Sequence, residues 1–411
     1  MYLDWRSDFR ALAQRVNGCE LAYLDSAATA QRPKQVTDAI VDFYERDNAN
    51  PGRALHALAR RAADDLDNAR KTAAGFINAA DPLEIIFTHG TTEGLNLLAT
   101  AWGGANLRSG DEVLLTISEH SSSMLPWQLA AKRAGAIVRL LDVDDEGHLR
   151  LDQLDQLLSS RTKVFAFPHV SNVLGLINPA KELCDCARHA GAITVVDAAQ
   201  SAPHFKVDVR AIGCDFLAFS GHKMLGPMGT GVLWGRRALL DSMPPYQAGS
   251  NMAHDVNIDS LDYSPGALKF GAGTPDVAGP VGLAAAMDFI ADLGFEALRE
   301  HEMQLIRHAL TRFREIPSLR ILGPATPGDR IALFSFVMQG RTPMDIVSAL
   351  DAEGIAIRAG DLASLPLLAR MGVTSAARAS LYLYSTTDEI DRLADVLASI
   401  ELPRAEAVIS R

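Results

Sequence analysis

The stretch Phe216-Leu-Ala-Phe-Ser220-Gly-His222-Lys223-Met-Leu-Gly226-Pro-Met-Gly229-Thr-Gly231-Val-Leu-Trp234 sets an apolar run, a polar turn, a Gly/Pro-rich bend and a second apolar run in sequence. It reads as strand, turn, strand. Lys223 stands in the turn with no charged neighbour closer than Asp215 and Arg236. In a poorly hydrated site an ammonium is disfavoured, its pKa falls, and the neutral amine forms a Schiff base with an aldehyde. By itself the turn fits a lysine that merely covers a loop equally well. The spacing Gly226-x-x-Gly229-x-Gly231 leads into a strand and not a helix, so it is not a dinucleotide fingerprint.

Working outward, apolar runs at 112–116, 137–141, 163–167, 192–196 and 216–220 alternate with helical patterns at 124–134, 151–158 and 179–190. That alternation predicts a mostly parallel sheet with helices on both faces. Polar residues follow the strands, where ligand groups sit in such sheets. They are His169, Ser171 and Asn172 after one strand, Asp197 and Gln200 after another, and Ser220, His222 and Lys223 after a third. Further upstream a short strand at 84–87 runs into Thr88-His-Gly90-Thr91-Thr92-Glu93-Gly94 and a helix through Leu95, Leu97 and Leu98. A Gly-Thr-Thr turn opening a helix presents amides and hydroxyls to a phosphate, although it also serves as a plain N-cap.

Residues 1–20 read as a short helix on Phe9, Leu12 and Val16, followed by a small-residue loop from Tyr23 to Thr29 and a long helix over 57–78. Beyond the Gly/Pro-rich loop at 265–280, helices at 280–290, 296–316 and 343–352 alternate with strands at 332–337, 355–357 and 379–384. Thr386-Thr-Asp-Glu389 caps a closing helix with Ile390, Leu393, Leu397 and Ile400 on one face. This predicts a large domain over 21–285 and a smaller α+β domain made of 1–20 and 286–411.

Hydrophobic residues make up 48% of the 411 and charged residues 22%, the balance of a globular chain. The net charge of −11 opposes a general affinity for nucleic acid or anionic membrane. No apolar run is long enough to span a bilayer, and Met1-Tyr-Leu-Asp-Trp-Arg lacks the basic-then-apolar order of a leader, so a cytoplasmic address is expected. Cys19, Cys184, Cys186 and Cys214 make no metal pattern and no disulfide framework; they read as buried thiols.

An aldehyde-capturing lysine, a phosphate cradle and an aspartate at a strand end are what pyridoxal 5′-phosphate (PLP) requires. Asp197 would keep the pyridine nitrogen protonated, although it also fits a helix N-cap. Gln200 and Asn172 would hold the phenolic oxygen and the Schiff base, and Ser220, His222, Thr91 and Thr92 the phosphate.

The motifs Tyr23-Leu-Asp-Ser-Ala-Ala, Gly90-Thr-Thr-Glu-Gly, His169-Val-Ser-Asn-Val-Leu-Gly175, Val196-Asp-Ala-Ala-Gln200, Phe219-Ser-Gly-His-Lys223, Ala272-Gly-Thr-Pro275 and Arg378-Ala-Ser-Leu occur in that order. In them the chain resembles the fold-type I PLP enzymes of the aminotransferase class V group, most of all the group II cysteine desulfurases and selenocysteine lyases. The resemblance implies an α/β fold with a mostly parallel seven-stranded sheet and a smaller C-terminal α+β domain. It implies Lys223 as the PLP-bearing lysine and Arg378 as the clamp for a substrate carboxylate, helped by Arg358, Asn172 and Arg53. It also implies a homodimer with shared active sites, in which Thr274 reaches the neighbouring subunit's phosphate.

The departures bear on the reaction. Where the desulfurases read Arg-Thr-Gly-His-His-Cys-Ala-Met-Pro, this chain reads Arg358-Ala-Gly-Asp361-Leu362-Ala363-Ser364-Leu-Pro366, with alanine in the place of the nucleophile. Where they read Glu-His-His, it reads Glu119-His120-Ser121, which is expected to leave a serine where a histidine stacks on the cofactor. Gly52 stands in place of a third histidine, before Arg53. These residues lead us to expect an enzyme on an α-amino acid that works through a Cα carbanion, with β-elimination or another lyase step at Cβ foremost. Transamination, epimerisation or a specialised biosynthetic step comes next, and a desulfurase-like pseudoenzyme kept as a scaffold or partner is the alternative from another class.

Overall fold

The computed structural model describes residues 5–52, 54–257 and 259–400. Its centre is a seven-stranded sheet of β1 (Ile85–Thr88), β2 (Glu112–Thr116), β3 (Ile137–Leu141), β4 (Thr162–Pro168), β5 (Ile193–Asp197), β6 (Phe216–Ser220) and β7 (Gly231–Gly235). They are ordered β1-β7-β6-β5-β4-β2-β3. Strand β7 is antiparallel to both neighbours and the remaining pairs are parallel. Successive residues of a strand face opposite sides, and in the central strands both sides are buried, which is why those runs are mostly apolar, whereas the edge strand β3 is only partly buried. Val113, Leu115, Val164, Ala166, Phe216 and Ala218 pack on one side with Leu95, Leu97 and Trp127. Leu114, Phe165, Phe167, Leu217 and Phe219 pack on the other with Leu183, Leu283 and Met287.

The covering helices include α1 (Lys34–Asp42), α2 (Ala57–Phe76), α3 (Thr91–Leu97), α4 (Ser121–Ala134), α5 (Ala180–Ala190) and α6 (Ala278–Leu293). Helix α6 packs on α1 and α2 and runs unbroken through residue 285, so the edge expected there falls inside a helix. Beyond it come α7 (Phe295–Arg314), β8 (Leu319–Ile321), β9 (Leu333–Met338), α8 (Pro343–Ala352), β10 (Arg358–Gly360), β11 (Ala376–Ser380) and α9 (Thr387–Ser399). The four strands form an antiparallel sheet ordered β8-β9-β11-β10. Its core is Phe334 and Phe336 against Leu305, Ala309 and Phe313 of α7 and Ile390, Leu393 and Leu397 of α9. Thr386 and Glu389 make the expected capping box.

Three elements differ from expectation. Residues 5–20 hold two short 3₁₀ turns and a hairpin pairing Val16 with Cys19, not one helix. Asn17-Gly18, at φ 53° and 81°, is the turn signal that outweighs the apolar spacing. The helix expected over 151–158 is a 3₁₀ turn and a single α-turn. The strand expected over 379–384 runs instead over Ala376–Ser380. At its end Ser380 is engaged by the amides of Ser26 and Ala27, and beyond it Tyr382 and Tyr384 turn inward to bond Pro203 O and Ser26 Oγ. The Asp25–Thr29 loop is thereby stitched to the C-terminal sheet, aided by parallel pairing of Ala22–Tyr23 with Ile355–Ala356. Among the described residues no helix is long and apolar enough to cross a membrane.

Candidate active site

The carboxyl ends of β5 and β6 meet the C-terminal sheet at a cavity of about 400 Å³. Asp197 is the last residue of β5 and is buried. One carboxylate oxygen accepts from Ala199 N at 2.9 Å. Burial pushes its pKa up, while the Ala199 amide and the nearby Lys223 pull it down. Lys223 ends the one-turn 3₁₀ helix after β6 and keeps part of its surface open to the cavity. The protein packed around it lowers its pKa to about 8, against the pull of Asp197 and with the repulsion of Arg378 and Arg358. A sizeable fraction of the amine is thus neutral near physiological pH.

The turn is anchored from the small-residue loop, since Ala30 N and Thr29 Oγ1 donate to His222 O at 2.8 and 3.1 Å. Burial and the charges of Lys223 and Arg32 hold His222 at a pKa of about 4, so the ring is neutral. Below it Ser220 Oγ accepts from Thr91 N at 2.9 Å and bonds Thr91 Oγ1 at 2.8 Å. Thr92 Oγ1 bonds Ser122 Oγ at 2.8 Å. Gly231 makes this approach possible, because a Cβ there would lie 2.5 Å from Gly90 Cα. Gln200 donates to Ala27 O at 2.9 Å, while its buried Oε1 has no partner.

Across the cavity Arg358 of β10 and Arg378 of β11 are register partners. Like charges opposite one another in a sheet repel, and Asp25 lies between them. Its carboxylate takes Arg358 Nη2 at 2.9 Å and lies 3.6 Å from Arg378 Nη2. Arg378 also donates to Asn172 O at 2.9 Å, and its buried Nε has no partner. Desolvation lowers its pKa to about 10, which leaves it charged at neutral pH. The sequence reading missed Asp25. Its signal was a lone acid in a loop of small residues.

The Glu119–Ser123 segment requires a correction. It is His120, not Ser121, that lines the cavity. As N-cap of α4, His120 accepts Ser122 N on Nδ1 at 3.1 Å, so the proton of the neutral ring sits on Nε2. Burial and the charges of Lys223 and Arg378 hold its pKa at about 4. Ser121 begins the helix and faces Ala363, donating to its carbonyl through both N (2.8 Å) and Oγ (2.9 Å). A histidine at the cavity is therefore retained.

The 361–364 segment closes the far wall. Leu362 and Ala363 take left-handed φ values of 50° and 54°, each at a cost of about 1–2 kcal/mol for an L-residue. Asp361 and Ala363 line the cavity, as do Thr91, Thr92, Asn172, Asp197, Gln200, Ser220, His222, Lys223, Arg358 and Arg378. Thr274 does not join them. It lines a separate groove of about 820 Å³, where its hydroxyl accepts from Asn50 Nδ2 at 3.3 Å. Arg53 lies outside the described residues. Cys184 and Cys214 are buried as expected, whereas Cys19 and Cys186 are only partly so, and none borders the cavity.

A fold of this order, with a lysine, an aspartate and a hydroxyl cradle at its sheet ends, defines a PLP-dependent enzyme, and the chain belongs to the aminotransferase class-V family, whose model matches residues 22–393. Among its relatives, a probable cysteine desulfurase of Halalkalibacterium halodurans is 45% identical over 94% of each chain. A cysteine desulfurase of Salmonella agona is 42% identical over 96% of this chain and 97% of its own. The structure is similar to that of a cysteine desulfurase from Escherichia coli, with 35% identity, 96% of each chain covered and a TM-score of 0.88. It is similar too to an apo cysteine desulfurase from Thermococcus onnurineus NA1, with 34% identity, 94% and 96% covered and a TM-score of 0.89.

The residues present fit PLP. A buried carboxylate with one oxygen bonded only to a backbone amide suits a pyridinium. The unpartnered Gln200 Oε1 marks a polar lining awaiting a partner.

Proposed function

We propose that the protein uses PLP held on Lys223 to release a leaving group from Cβ of an α-amino acid, without passing sulfur to a protein cysteine. The observation that carries this reading is the cavity's composition: Lys223, Asp197 and Arg378 converge on it, and its wall at the position that the resemblance aligns with the desulfurases' cysteine is Ala363. Bound PLP supplies an electron sink conjugated to Cα. Arg378, with Arg358 held beside it by Asp25, takes the substrate carboxylate. Once the substrate's amine has replaced it on the cofactor, the freed amine of Lys223 would accept the Cα proton. The Cβ–X bond breaks, X departs with the bonding electrons, and the Nε2 proton of His120 offers it a hydrogen bond. With cysteine, the substrate the relatives' names suggest, X is hydrosulfide, and water converts the three-carbon product to pyruvate and ammonia with no net oxidation.

Persulfide formation needs a thiolate beside the substrate. Burial raises the pKa of Cys184 to about 12 and that of Cys214 well above the ordinary value, so both stay protonated. Purified protein incubated with a panel of amino acids, cysteine included, is expected to yield pyruvate and ammonia in step with the leaving group. Alanine as the product, with a persulfide that turns over on one of the four cysteines, would restore the desulfurase reading.

The groove holding Thr274 supports a second part of the proposal, that two copies pair there and Thr274 completes the partner's phosphate site. Sedimentation should give a dimer. A monomer that binds PLP at full affinity would overturn it.

A further inference from the structure

We propose that Ser121 and Ser364 are positioning residues that latch the 361–364 segment into a fixed wall of the cavity, so that the positions departing from the desulfurase pattern act as one unit. Five contacts from two other elements converge on this short segment. From the start of α4, Ser121 supplies both its amide and its hydroxyl to Ala363 O, at 2.8 and 2.9 Å. From the loop after β4, Asn172 Nδ2 donates to Leu362 O at 2.8 Å. Ser364 Oγ lies between Asn172 Oδ1 at 3.1 Å and Glu119 O at 3.2 Å, tying the segment to both elements at once. Within the segment, Asp361 Oδ1 accepts from Ala363 N and Asp361 O from Ser364 N, each at 3.0 Å. The left-handed conformations of Leu362 and Ala363 are what turn two successive carbonyls outward, one toward Asn172 and one toward Ser121.

The departures at Ser121, Asp361, Ala363 and Ser364 each have a place in this arrangement, whereas Gly52 lines the separate groove. Ser121 provides a hydroxyl short enough to reach Ala363 O from the first turn of a helix, where an amide is also free to donate. Ser364 is buried and spends its hydroxyl on the anchoring contacts. Asp361 caps the turn from the cavity mouth. The side chain of Asn172 is thereby committed on both polar ends to the wall, which fixes where a substrate's groups beyond Cβ must end. These contacts hold the segment whether or not the reaction is an elimination.

The test is amide hydrogen exchange on the full-length holoenzyme, with Ser121→Ala/Ser364→Ala as the variant. The amides of Ala363 and Ser364 should be protected in the parent and exchange at least tenfold faster in the variant, while those of β5 and β6 stay unchanged. A second measurement holds if the double variant folds poorly: Ala363→Cys, placed in the parent and in Ser364→Ala alone, should be alkylated by iodoacetamide at least tenfold faster in the latter. Parent amides at 363 and 364 exchanging at unstructured rates, or equal alkylation in the two backgrounds, would overturn the latch.

Discussion

The cavity's two walls are held in different ways. The wall formed by β1, β5 and β6 puts Thr91, Asp197, Ser220 and Lys223 at or just beyond strand ends whose side chains are packed on both faces of the sheet. The facing wall, His120 to Ser123 and Arg358 to Ser364, consists of a helix start, an edge strand and a left-handed turn held by side-chain hydrogen bonds. In the proposed function the residues assigned to the cofactor ride mainly on the first wall, whereas Ser121, Ala363 and Ser364, which depart from the desulfurase pattern that the motifs resemble, ride on the second. Loops tolerate change that a packed sheet does not.

The largest effect should come from the sheet-borne wall. Lys223→Ala is expected to abolish the borohydride-trapped PLP adduct completely, because among the described residues no other amine lines the cavity. An adduct mapping to another lysine would sink the assignment. The facing wall should respond unevenly. Arg378 is buried, and truncating one member of a buried charged contact costs about 2–5 kcal/mol, so Arg378→Ala should lower kcat/KM by about 10²-fold or more. Arg358 is half exposed and screened, so its contact is worth about 1 kcal/mol or less and Arg358→Ala should lower kcat/KM by no more than about fivefold. Equal losses in the two variants would mean that the carboxylate is not oriented from β11.

This contrast also explains how much of the molecule is legible in its sequence. The strands of the large sheet and the polar residues at their ends can be read because continuous apolar runs, followed by Gly, Thr, Asp or Lys, have few other uses. Lys223, Asp197 and Gln200 line the cavity as expected. The second wall depends on contacts between residues distant in sequence, to which local pattern is blind. Position 121 illustrates the difficulty: a motif aligned by spacing put Ser121 at the cofactor, whereas the N-cap geometry of His120 turns that ring toward the cavity and sends Ser121 to a carbonyl 242 residues away. Asp25 went unread for the same reason, since its partners lie in β10 and β11.

The smallest effect should appear at the seam between the walls, at Glu119. Its carboxyl accepts from Thr116 Oγ1 of β2 at 2.9 Å, and its backbone carbonyl receives Ser364. Burial, partly offset by hydrogen bonds from Ser123 and Thr116, raises its pKa to about 8 from an ordinary 4.5. Between those two values the native state keeps a proton that the unfolded chain has lost, so Glu119's contribution to stability is present at low pH and falls as pH rises through the window. Glutamine does not titrate, so Glu119→Gln should remove that slope and leave a constant offset. The difference in Tm between variant and parent, taken in matched buffers so that other groups cancel, should move in the variant's favour by a few degrees from pH 5 to pH 8. A difference that stays constant over that range would place the charge of Glu119 in solvent, and the seam between the two walls would then be open to water.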